Sequence, residues 1–155
     1  MGGSERTGWR DEEISRRHRR WGFNCPATDL DFLLLEFNHG VPVAVVDYKH
    51  HAKTDPLADL HESAIQALSG LYDERGENLP FFVTRYWPGT WAFKALPMND
   101  RARRWLRGDV WVSMTEKQWV TGLYKMRKDA LDIRDQQYIR RLNDQMPPDE
   151  QEVAA

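Results

Sequence analysis

Cysteine is nearly absent: Cys25 is the single one in 155 residues. An intrachain disulfide and a cysteine-built zinc site are both excluded, and the usage fits a reducing compartment. Long apolar runs are missing too. None approaches the roughly 20 residues needed to span a bilayer, so no membrane partner is expected. The opening stretch MGGSERTGWRDEE is polar and acidic, without the apolar segment of a secretory signal, which predicts a cytoplasmic protein. Charge of one sign is not in excess. A net charge of -2 excludes a strongly basic nucleic-acid coat. It leaves room for a local basic patch, which is what meets phosphates.

What is present suits one globular domain with one moderate core: 41% apolar and 30% charged residues. Residues 1–10 are expected to be a flexible lead. From Asp11, DEEISRRHRRW spaces Ile14, His18 and Trp21 along one helical face, with acids at its start and arginines near its end. DLDFLLLEFN and PVAVVDYK read as two strands, joined by a reversal at NHG. DLHESAIQALSGLYDE carries a helical stripe, LPFFVTRYW and TWAFKAL read as strands around a Pro88-Gly89 turn, and residues 99–107 as a short basic helix. Thr115 with Gln118 predicts a capping box opening one long bent helix or two helices, which Pro147 and Pro148 stop. The expected class is α/β (α+β), a small mixed sheet flanked by helices. Residues 11–110 form its core, 111–146 a C-terminal helical extension and 147–155 a disordered tail.

One strand carries unexpected chemistry. In VPVAVVDYKH, alternation puts Val45, Asp47 and Lys49 on one face and Ala44, Val46 and Tyr48 on the other. If the first two strands form a hairpin, Asp31 near the start of one lies close to Asp47 near the end of the other. Two carboxylates and a backbone carbonyl make a hard oxygen site of the kind magnesium takes. Lys49, on the same face, would steady charge building on a phosphoryl group or position a water. The alternative is that all three are strand-end charges.

These residues, Asp31 leading into an apolar strand and Asp47-Tyr48-Lys49 closing the next, resemble the core of the PD-(D/E)XK nuclease superfamily. Many restriction enzymes and Holliday junction resolvases share that fold. The resemblance covers roughly residues 11–97. It implies a restriction-endonuclease-like core and a deoxyribonuclease, endonucleolytic, that uses Mg2+ with Mn2+ as substitute. Asp31 and Asp47 would hold the ion, helped by Glu13 or Glu12 from the first helix, and Lys49 would serve the chemistry. A compact domain of this kind also fits a phage or mobile-element enzyme.

Basic clusters supply the expected DNA contacts. Arg101 and Arg104, with neighbouring Arg103 and Arg107, can meet phosphates without reading sequence. Lys53 and Arg85 lie near the Asp47 strand. His50, His51 and His61 lack zinc-ligand spacing. Of seven tryptophans most should pack in the core. An apolar stripe on the terminal helices would let two copies form a homodimer. Two other readings stay open: a catalytically inactive nuclease-fold module that binds DNA or assembles with partners, and an RNA-directed nuclease.

Overall fold

A computed structural model describes residues 13, 14, 16–18, 20, 32–36, 40–58, 60–127 and 131–148. The expected lead, Glu12, Asp31 and most of the expected tail lie outside the described residues. The described residues between 13 and 20 are helical (α1), as the spacing predicts, although Ile14 is 55% exposed and not core. The elements that follow are β1 (Phe32–Glu36), β2 (Val41–His50), α2 (Glu62–Ser69), β3 (Phe81–Trp87), β4 (Ala92–Pro97), α3 (Asp100–Leu106), β5 (Val112–Met114), α4 (Glu116–Arg127) and α5 (Ile133–Arg140). They form a small mixed sheet flanked by helices, with helices again at the C-terminal end.

The strands lie side by side in chain order. β1 and β2 are antiparallel, with Phe32 opposite Val46. Gly40 takes φ 65°, the left-handed turn conformation that glycine adopts without strain. β2 then crosses over through α2 to pair in parallel with β3, and β3, β4 and β5 continue antiparallel. Pro42 falls where one ladder has not begun and the other is irregular. Pairing with β3 begins only at Val45, and on the β1 side a register shift falls at Leu34/Leu35, where Pro42 meets Leu35. A residue without an N–H is tolerated at such a place. β5 was not expected: three residues inside the predicted helical extension pair Met114 with Phe93 and Val112 with Ala95. Three residues are too few for alternation to register.

Two apolar layers follow from the alternation in β2. On one face Ala44, Val46, Phe82, Phe93 and Ala95 pack against Ala102 of α3 and Trp119 of α4. On the other, Val45, Phe81 and Val83 pack with Leu79 and Leu68 of α2. Phe81 and Phe82 are fully buried, each worth about 1.5–3 kcal/mol in area removed from water. The capping box at α4 forms as its spacing predicts: Thr115 N–H donates to Gln118 Oε1 at 2.9 Å, and Gln118 N–H to Thr115 Oγ1 at 3.2 Å. α4 and α5 are separate helices. Arg127 ties them, 3.3 Å from Asp135 and 4.5 Å above the Tyr124 ring.

Asn99 joins the two halves of the core. Its Oδ1 accepts from Ala102 N–H (3.0 Å) as the cap of α3 and from Phe81 N–H (3.3 Å) at the start of β3. Its Nδ2 donates to Leu79 O (2.8 Å) and Ser69 O (3.2 Å). Replacing it with alanine strands buried backbone groups and removes a cap, costs of about 1–3 and 1 kcal/mol. We expect Asn99→Ala to lose about 3 kcal/mol of unfolding free energy in urea titration. A loss under about 0.5 kcal/mol, the range of ordinary surface changes, would remove Asn99 from this role.

Candidate active site

The end of β2 carries three successive side chains with different surroundings. The pleat sends Tyr48 toward α4, where its hydroxyl accepts from Trp119 Nε1 at 3.1 Å and its ring meets Phe32 edge-on. Burial pushes the Tyr48 phenol above its ordinary pKa, partly offset by the Trp119 hydrogen bond. Tyr48 is therefore an anchor. It fixes β2 between two residues that point the other way.

Asp47 and Lys49 lie on the opposite face, as alternation predicts. Asp47 is buried, 8% exposed, and Lys49 Nζ sits 3.4 Å from its Oδ1. A carboxylate this far out of water needs such compensation. Register extends the pattern sideways: Lys49 pairs with Arg85 of β3, and Arg85 with Lys94 of β4. Three cationic residues thus stand in one row across the sheet, one step beyond Asp47. Like charges directly opposite one another are destabilising, and the Asp47 carboxylate beside Lys49 offsets part of that cost.

The loop after Lys49 is held in place by Arg85. Its Nη2 donates to the carbonyls of His51 and Lys53, the latter at 3.3 Å, and its guanidinium lies 5.7 Å from the Trp87 ring. His51 stacks on Trp87 at 5.4 Å and on His50 at 4.6 Å. Desolvation, then the neighbouring His50 and Arg85, hold His51 below the ordinary histidine pKa. His50 Nδ1 accepts from Ala52 N–H (3.1 Å), and His61 caps α2 by accepting from Ser63 N–H (3.1 Å). Two of the three histidines therefore have local backbone roles.

The structure brings Asp47, Lys49, Arg85 and Lys53 to one end of the sheet. Arg85 acts there as a clamp on the loop that holds Lys53. Glu13 is exposed on α1, and among the described residues no group of three His, Cys, Asp or Glu is gathered for a metal ion. Asp31 precedes Phe32 in sequence and lies outside the described residues. Arg101 is turned to Glu77, with Asp73 at 3.8 Å, whereas Arg104 lines an open groove bordered by α3 and α4. Sequence reasoning missed Lys94, the His51–Trp87 stack and the Tyr48–Trp119 bond. Alternation within TWAFKAL could have given Lys94 a face, but only strand pairing gives it a row.

No family model matches the chain, and neither does a curated protein or a solved structure. Among the described residues no helix is long and apolar enough to cross a membrane.

Proposed function

We propose that the chain is a metal-dependent deoxyribonuclease with a restriction-endonuclease-like core, hydrolysing DNA phosphodiesters endonucleolytically. One observation carries the reading: a buried carboxylate and an ammonium 3.4 Å apart, on one face, at the end of a strand. That strand leaves a hairpin and crosses through a helix to a parallel partner. The arrangement supplies a hard anionic oxygen and a point charge side by side, next to a cationic row suited to a phosphate chain.

The donor chemistry fits magnesium, which takes one or two carboxylates and leaves other positions to water and substrate phosphate. Asp47 would be one ligand and Asp31 the second, with Glu13 a further candidate. Bound there, the ion would supply Lewis acidity and a more acidic water. Lys49 balances the Asp47 charge and presents an ammonium to phosphoryl oxygens, where it gains value as negative charge develops. Tyr48, pinned by Trp119, keeps the pair aimed at one side of the sheet. Arg85 holds the loop of Lys53 beside it.

The test uses plasmid and linear DNA, with magnesium, manganese or EDTA. Cutting of both substrates with either metal, abolished by EDTA, is expected. No cutting under any metal, or cutting that survives EDTA, would contradict the reading. Preference for matched RNA would leave the chemistry and overturn the polymer.

A further inference from the structure

A second cluster of cations shares no residue with the Asp47–Lys49 pair. An open groove of about 560 Å³ is lined by Arg104 and Arg107 on the α3 side and by Lys117 and Lys125 on α4. No acidic side chain among the described residues lines it. Among the described residues none of these four cations is in an ion pair. The neighbouring arginines differ: Arg101 is met by Asp73 and Glu77, and Arg103 by Asp100 at 2.6 Å. Within one short basic run, the arginines away from the groove are neutralised and those on it are not.

We infer that this groove binds the phosphodiester backbone of a nucleic-acid strand, at a site separate from the Asp47–Lys49 pair. Shape decides between anions. Lys117 and Lys125 are eight residues apart on one helix, about 12 Å along its axis, so a single phosphate cannot reach both. A strand with a charge at every step can. The flat surface of a bilayer cannot enter a groove, whereas guanidinium forks suit phosphate oxygens. Trp105, 39% exposed, also lines the groove, and an indole there is of the kind on which an unpaired base stacks. The groove lies across the sheet from Asp47, because α3 and α4 cover the face of Ala44 and Val46. It therefore holds a strand whether or not the other site cuts it.

The experiment is anisotropy titration of a short labelled single-stranded DNA across a salt series. Proteins are the wild type, the triple variant Arg104→Ala, Lys117→Ala, Lys125→Ala, and Arg103→Ala. These side chains are on the surface of helices, and circular dichroism checks that each protein folds. Removing three phosphate contacts should lower the slope of log K against log salt by about two, and Arg103→Ala should leave it unchanged. An unchanged slope in the triple variant, or an equal fall in Arg103→Ala, overturns the site. Competition by inorganic triphosphate or polyglutamate as strong as by unlabelled strand would overturn the occupant. The Asp47→Ala protein should bind with the wild-type slope, so loss of cleavage and loss of this groove are read separately.

Discussion

Asp47→Asn should cut DNA at least about a thousand-fold more slowly than the wild type under single-turnover conditions at saturating magnesium, near 4 kcal/mol of barrier. The amide keeps the shape of the carboxylate and removes its charge, so the loss would report chemistry and not packing. In the folded chain that carboxylate is buried and faces the Lys49 ammonium at 3.4 Å. Replacing it takes away the counter-charge beside Lys49 and, in the proposed mechanism, a ligand of the metal ion. The change should leave strand binding in the α3–α4 groove intact. An Asn variant that cuts within about ten-fold of the wild type, a difference of only 1.4 kcal/mol, would mean that Asp47 is a structural charge.

Trp119→Ala should produce the largest loss of stability, about 3–5 kcal/mol in denaturant unfolding. The indole is 3% exposed and meets Phe82 at 6.0 Å, Phe93 at 5.7 Å and Tyr48 at 6.2 Å between ring centroids. Alanine leaves a cavity between α4 and the sheet and removes the N–H that meets Tyr48. Trp119→Phe keeps most of the packing and should cost less, with the lost hydrogen bond worth about 1 kcal/mol. Since Tyr48 lies between Asp47 and Lys49, the alanine variant should also slow cleavage under conditions where it remains folded. A loss below about 1 kcal/mol would show that α4 is not part of the main core.

Period and parity carried much of this into the sequence. Strict alternation in VAVVDYK divides β2 into an apolar face under Trp119 and a face bearing Asp47 and Lys49, and the structure keeps that division. Thr115 and Gln118 declare their helix start because a capping box needs only residues three apart. Relations between distant segments were not legible. Asn99 reads only as the first residue of a short basic helix until β3, α2 and α3 converge on it, since its four partners are spread from Ser69 to Ala102. Arg101 and Arg104 are indistinguishable in RARRWLR, and only the fold sets one against Glu77 and the other in a groove. Arg85 was expected among the DNA contacts, and nothing in the sequence signalled the loop beside β3 whose carbonyls accept from its Nη2.

In the proposed mechanism Lys49 serves the chemistry, and the most direct test is a magnesium titration of single-turnover cleavage by Lys49→Ala. A compact ammonium beside the phosphoryl group gains its value mainly in the transition state, so its loss should slow cleavage by about a hundred-fold or more. The magnesium midpoint and strand binding should stay near wild type, and Lys49→Arg should restore only part of the rate, since a planar fork does not replace a point charge. Full cleavage by the alanine variant once magnesium is raised would contradict this, and would leave Lys49 as a neutralising partner of Asp47 and nothing more.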